Sequence, residues 1–96
     1  MKTVYASTHE FIIRYREYSK LPGTWDEALF SLGDWPYEDS LPEEKIENHP
    51  KKTPKWFSVH FWLRYDSGVS YDELCVRAKD YARSKLRESF PAAKLS

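Results

Sequence analysis

The sequence predicts an all-α fold, a compact single-domain bundle of about four helices with a long acidic connection that contains prolines. Three helix starts carry capping boxes, in which a hydroxyl residue precedes a glutamate by three positions; they begin at Ser7, Thr24 and Ser70. Thr53-Pro54 marks a fourth start, because proline fits the first helical position. Glycine or proline follows each segment as a stop signal.

The first two predicted helices run from about Thr8 to Ser19 and from Trp25 to Leu32. The first has an apolar stripe from which Ile13 is left out, formed by Phe11, Ile12, Tyr15 and Tyr18. The stretch 34–54 is rich in proline and is expected to be loop, with a helical turn at Pro42–Glu47.

The segment Lys55–Tyr65 fits two patterns. Its apolar residues alternate, which favours a strand, whereas a helix over the same residues would be apolar on almost every side. The Thr53-Pro54 start, the stop at Asp66-Ser67-Gly68 and the lack of an obvious partner strand favour a helix. The alternative is an α+β fold, with Trp56–Tyr65 as a strand against an N-terminal partner.

The last helix, from Tyr71 to about Ser89, has the clearest pattern. Its apolar residues form one continuous stripe, made of Tyr71, Leu74, Cys75, Ala78, Tyr81, Ala82 and Leu86. Cys75 lies on this stripe and is expected to be a structural thiol.

Composition limits the class of protein. The 96 residues form one domain, 1–96, with 16 aromatic rings and one cysteine, which suits a reducing compartment. The first five residues lack a signal-peptide hydrophobic region, and no apolar run reaches the roughly 18 residues that span a bilayer. We therefore expect a cytoplasmic protein without membrane contact.

Catalytic and metal-binding motifs are missing from the sequence. Three glycines cannot form a phosphate-binding loop, and no histidine or cysteine pair has the spacing of a metal site. The three histidines are scattered over different segments. We expect no enzyme, no cofactor and no metal.

The charges predict a polarised surface. Residues 21–48 have a balance of −7, between flanks of +2 and +5. Trp35 and Tyr37 lie in a loop of this acidic stretch, and Trp62 points away from Val59 and Leu63 if its segment is a helix. These rings, with the acids beside them, suggest a protein-binding site formed by Trp35, Tyr37, Glu38, Asp39 and Trp62. The competing interpretation is that Trp35 covers the core as a lid. Another protein is the favoured partner, and both a monomer and a homodimer remain open.

Nucleic acid is the disfavoured alternative partner. The candidate residues lie on the basic face of the last helix and are Arg77, Lys79, Arg83 and Arg87. The stretch 63–74 has a helix–turn–helix cadence, but Asp72 and Glu73 would repel phosphate in the first turn of the second helix.

Several stretches resemble the small bacterial YozE-like domains, whose fold is a sterile-alpha-motif-like helical bundle. They are Phe11–Arg16, Asp34-Trp35-Pro36, and a tail from Phe61 to Tyr81, together about half of the chain. Glu43–Pro54 looks like an insertion that the family lacks. The resemblance implies an all-α bundle, and it carries over no activity because none is established for the family.

Overall fold

The computed structural model describes residues 7–96. These residues form one mixed sheet of five strands, mostly antiparallel, with a single long helix on one face. The elements are β1 Ser7–Glu17, β2 Thr24–Asp34, a 3₁₀ turn Glu38–Ser40, β3 Lys45–His49, β4 Trp56–Tyr65, α1 Tyr71–Ser89 and β5 Lys94–Leu95. The strands lie in the order β3-β4-β1-β2-β5. The expectation about the first five residues lies outside the described part of the chain.

The all-α prediction is wrong, and the α+β alternative fits. Strand β4 pairs along its whole length with the N-terminal strand β1, antiparallel, so that Phe61 faces Phe11. The predicted helices at Thr8–Ser19, Trp25–Leu32 and Lys55–Tyr65 lie mainly in strands. The predicted helical turn at Pro42–Glu47 is also absent, since its second half, from Lys45, belongs to β3. The helix–turn–helix interpretation of 63–74 fails for the same reason, since Leu63 to Tyr65 belong to β4.

The burial of every second residue in β1 explains why this segment is a strand and not a helix. Phe11, Ile13 and Tyr15 are buried, whereas Arg14 and Arg16, which alternate with them, are exposed. A helix would have placed Ile13 on the side opposite Phe11 and Tyr15, but a strand places all three on one face. The hydroxyl–glutamate pairs at Ser7 and Thr24 therefore lie on strands and cap nothing.

Helix α1 is confirmed with the predicted bounds. The Ser70 hydroxyl accepts a hydrogen bond from the Glu73 backbone N–H at 3.1 Å, which caps the helix as the sequence indicates. Its buried stripe is narrower than predicted and comprises Leu74, Ala78, Ala82 and Leu86, while Cys75 is half-buried beside it.

The core lies between α1 and one face of the sheet. Alternate residues of three strands meet the helix stripe there, namely Phe11, Ile13, Tyr15, Trp25, Phe57, Val59 and Phe61. Ala78 and Ala82 are fully buried, and their small side chains let the helix approach these large rings closely. The opposite face of the sheet has no helix over it in residues 7–96.

Candidate functional site

The candidate site lies on the sheet face that α1 does not cover. Cross-strand register places Ile12, Arg14 and Arg16 of β1 there, opposite His60, Ser58 and Trp56 of β4. Residues of the neighbouring strands in the same register complete the surface: Lys45, Glu47 and His49 of β3, and Asp26, Ala28 and Phe30 of β2. This uncovered face is therefore polar and aromatic in composition.

Four rings pack together at one end of the uncovered face and form what we call the ring cluster: Trp35, Tyr37, His60 and Trp62. Trp35 lies edge-on to Trp62 at 5.8 Å and to Tyr37 at 6.1 Å between ring centroids. His60 stacks on Trp62 at 4.6 Å. The structure thus brings together the three aromatic residues that the sequence singled out.

Backbone and side-chain bonds hold Trp35 in place. Its backbone N–H donates to the Thr8 carbonyl at 2.7 Å, which extends the β1–β2 pairing by one residue. Its indole N–H donates to the carbonyl of Tyr37 at 2.8 Å. Trp35 is half-buried, and Tyr37 is 65% exposed. Trp35 is therefore a fixed support, and Tyr37 is the accessible member of the cluster.

Acidic side chains border the ring cluster. Glu38 and Asp39 are exposed in the 3₁₀ turn directly after Tyr37. Glu44 lies further along the connection and accepts a hydrogen bond from the Tyr81 hydroxyl of α1. Burial and this bond to Glu44 raise the pKa of Tyr81 to about 12. The acidic connection is thereby attached to the helix.

A groove of about 250 Å³ opens beside Trp62 at the outer edge of β4, and we call it the edge groove. Strand β3 pairs only with Trp56 to His60, so the later part of β4 lacks a strand neighbour on this side among the described residues. The groove is mainly apolar and is lined by Leu41, Pro42, Glu44, Phe61, Trp62, Leu63 and Tyr81.

A larger cleft of about 790 Å³, which we call the open-face cleft, occupies the other end of the uncovered face. Its lining includes Trp56, whose ring packs on His49 at 3.9 Å. Four basic residues line it, Arg14, Arg16, Lys45 and Lys52, together with two carboxylates, Asp26 and Glu47. The sequence-based prediction missed this cleft, although the alternation of arginines with buried residues in β1 was its signal.

His9 connects the ends of β1 and β2. Its Nδ1 lies 2.9 Å from an Asp34 oxygen, its Nε2 lies 2.7 Å from the Ser31 hydroxyl, and Tyr65 also donates to Asp34. The bond from His9 is the largest influence on the pKa of Asp34 and lowers it. Burial opposes this effect, and the bond from Tyr65 lowers the pKa further, so that the net direction is downward.

The order Ser31–His9–Asp34 is that of a nucleophile, a base and a carboxylate. Neither the edge groove nor the open-face cleft reaches Ser31, however. His9 is buried at a register shift between β1 and β2, where both ring nitrogens need partners. We interpret the network as structural.

The predicted nucleic-acid face of α1 is partly occupied by ion pairs. Arg83 makes two hydrogen bonds to Glu27 of β2, at 2.8 and 2.7 Å, and Arg77 bonds Glu73 at 3.2 Å. Lys79 is half-buried and Arg87 is exposed. Two of the four predicted residues therefore already have carboxylate partners.

Comparison with known proteins does not show a family for this chain, because no family model, no curated protein and no solved structure matches it. No match bears on the resemblance to YozE-like domains, and the helical bundle that it implied is not the fold observed. No helix among residues 7–96 is long and apolar enough to cross a membrane.

Proposed function

We propose that this chain is a non-catalytic protein-interaction module that binds another protein through the ring cluster and its acidic border. The observation that carries the proposal is the packing of Trp35 between Tyr37 and Trp62 on the uncovered face of the sheet. Large rings that are held rigidly and remain partly exposed are typical anchors of protein interfaces, because they bury much area at a small cost in conformational entropy.

The surroundings of the ring cluster indicate the chemistry of the partner. Glu38 and Asp39 are exposed next to Tyr37, and they favour a partner that presents lysine or arginine. The edge groove beside Trp62 has room for an apolar side chain. The proposed partner surface is therefore a basic segment that also carries an aliphatic or aromatic residue.

The proposed location is the reducing cytoplasm. Its support is the chain's single cysteine, Cys75, which is free and half-buried.

Substitution of the exposed anchor tests the proposed function. Tyr37→Ala removes an exposed ring without opening the core, so the protein should keep its thermal unfolding temperature. Wild-type protein is used to capture its partner from the source cell, and the purified partner is then titrated calorimetrically against each variant. Tyr37→Ala should weaken binding about tenfold or more, and Glu38→Lys combined with Asp39→Lys should weaken it as well.

Tyr71→Ala is the matched control, because Tyr71 is also mostly exposed but lies at the start of α1. It should bind like the wild type. Equal affinity of Tyr37→Ala and Tyr71→Ala for the captured protein would contradict the proposal. So would unfolding of both Trp35→Ala and Tyr37→Ala, which would make these rings part of the core.

A further inference from the structure

The open-face cleft has the size and shape of a small-molecule site. Its volume of about 790 Å³ lies within the range of about 300–1,000 Å³ that is usual for ligand sites. The middle of its floor is formed by Ser58 of β4 and Ala28 of β2, which flank Arg14 of β1 in the sheet register. Because Ser58 and Ala28 are shorter than the lining residues around them, the surface of the sheet is lower there, and this gives the cleft its depth.

The charges in the cleft favour an anion. Its lining includes four basic residues and two carboxylates. None of these six side chains takes part in the salt bridges among residues 7–96, which involve other groups. Glu10, a further carboxylate of the same face, is bonded to His60 at 2.7 Å. The Arg14 guanidinium does lie over the Phe30 ring, 5.2 Å from its centroid, but this contact leaves its positive charge without a carboxylate partner. Guanidinium and ammonium groups that lack a carboxylate partner and share a concave surface attract a multiply charged anion such as phosphate.

Trp56 adds an aromatic surface to the same cleft. It is half-buried, and His49 packs on its ring at 3.9 Å, which restricts its motion. Arg16 is its direct cross-strand neighbour on β1, so a ring and a guanidinium lie side by side. An indole that stacks on a planar base, next to cations that bind its phosphate, is a recurrent way of holding nucleotides.

We propose that the open-face cleft binds a nucleotide, either as a free molecule or as a unit of single-stranded nucleic acid. Trp56 stacks on the base, Arg14 and Arg16 bind the phosphate, and Lys45 and Lys52 supply further positive charge. The cleft adjoins the ring cluster through His60, which lines both, but Trp35, Tyr37 and Trp62 do not line it. It is separate from the basic face of α1. It does not depend on the proposed protein interaction.

Calorimetric titration with the four ribonucleoside monophosphates, with an oligothymidylate and an oligouridylate, and with inorganic phosphate tests this proposal. We expect at least one mononucleotide or oligonucleotide to bind more tightly than inorganic phosphate, with an affinity that falls as salt increases. Binding of mononucleotides identifies a free nucleotide as the ligand. Binding of oligonucleotides alone identifies a single strand.

Two pairs of variants locate the site. Arg14→Gln with Arg16→Gln should lower the affinity about tenfold or more, whereas Arg77→Gln with Arg87→Gln on α1 should not change it. Ser58→Phe should fill the cleft and abolish binding, and Ser58→Ala should preserve it. If Ser58→Phe does not fold, the affinity of the variant that carries Arg14→Gln and Arg16→Gln still shows whether nucleotides bind in this cleft.

Three outcomes would overturn the proposal. The first is that no nucleotide or oligonucleotide binds more tightly than about 1 mM. The second is that the arginine variants of β1 and of α1 lose the same amount of affinity. The third is that Arg14→Gln with Arg16→Gln binds as tightly as the wild type. Tyr37→Ala should bind nucleotides like the wild type, so a failure of the protein-interaction proposal is recognised separately.

Discussion

Asp34 illustrates how one side chain at a strand end can organise its neighbours. It accepts hydrogen bonds from His9 and from Tyr65, which belong to two different strands. These bonds favour the ionised carboxylate and thereby lower its pKa below the ordinary value of 3.8. A group whose pKa falls on folding stabilises the folded state above its unfolded pKa, and it loses this effect as the pH falls through the folded pKa.

Asp34→Asn should therefore change the acid dependence of stability. Wild-type protein should lose the stability that ionised Asp34 contributes as the pH falls below the ordinary aspartate pKa and through its lowered folded pKa, and the variant should lose less over this acid range. Urea unfolding at a series of pH values measures the difference. Asp39→Asn, in the exposed 3₁₀ turn, serves as the control and should follow the wild type. Parallel acid profiles for wild type and Asp34→Asn would contradict this assignment.

At the level of elements, the fit of α1 onto the sheet depends on its two buried alanines. Ala78 and Ala82 are fully enclosed between Leu74 and Leu86 and face large aromatic side chains of the strands. Closely packed interiors have no room for added methylene groups, so a larger residue must displace the helix or adopt a strained rotamer.

Ala82→Leu should accordingly lower the free energy of unfolding by about 1–3 kcal/mol. Val76→Leu is the control, since Val76 is about half exposed on the other side of the same helix, and it should change stability little. Chemical denaturation followed by circular dichroism measures both. If Ala82→Leu were as stable as the wild type, the helix would be packed more loosely than the structure indicates.

The elements also differ in how far they could be predicted. Helix α1 was predictable because its cap at Ser70 and its apolar stripe are local features. The helix predicted for Lys55–Tyr65 was wrong, because the alternation of its apolar residues indicates a strand only if a partner strand is available. That partner is β1, about 50 residues earlier in the chain, where Phe11 faces Phe61 and Tyr15 faces Phe57. Pairing over such a distance leaves no local signal.

At the level of the whole molecule, one ion pair connects the sheet to the helix. Glu27 of β2 accepts two hydrogen bonds from Arg83 of α1, and the hydroxyl of Tyr15 is buried close by without a hydrogen bond of good geometry. Burial is the largest single influence and would raise the pKa of Glu27. The two bonds and the positive charge of Arg83, together with the proximity of the Tyr15 hydroxyl, more than offset burial, so the pKa is lowered. The Glu27 side chain is only 12% exposed, and it depends on Arg83 for compensation.

Arg83→Met should therefore destabilise the protein by about 2 kcal/mol, because it leaves a poorly solvated carboxylate without its cation. Arg87→Met, one turn further along and exposed, should have little effect on stability. Thermal and urea unfolding distinguish the two. Equal stability of the two variants would show that the bond between Glu27 and Arg83 does not hold the helix to the sheet.

The candidate site was likewise predictable only where its residues are close together in the sequence or stand out individually. Trp35, Tyr37, Glu38 and Asp39 were selected because they lie in the acidic stretch, and Trp62 because it falls off the apolar stripe of the predicted helix. The structure places Trp35 against both Tyr37 and Trp62. His60 and the basic residues of the open-face cleft were not selected, because they come from strands that are distant in sequence.

The sequence by itself determined helix α1, its cap and the alternation of apolar residues in the later strand, because these are properties of neighbouring residues. It favoured a helix over Lys55–Tyr65, and its capping signals at Ser7 and Thr24 indicated two more helices, whereas all three segments are strands. Only the tertiary structure decided that β1 and β4 pair, which buries one face of each strand under α1. The same pairing leaves the other face uncovered, where the ring cluster and the open-face cleft lie.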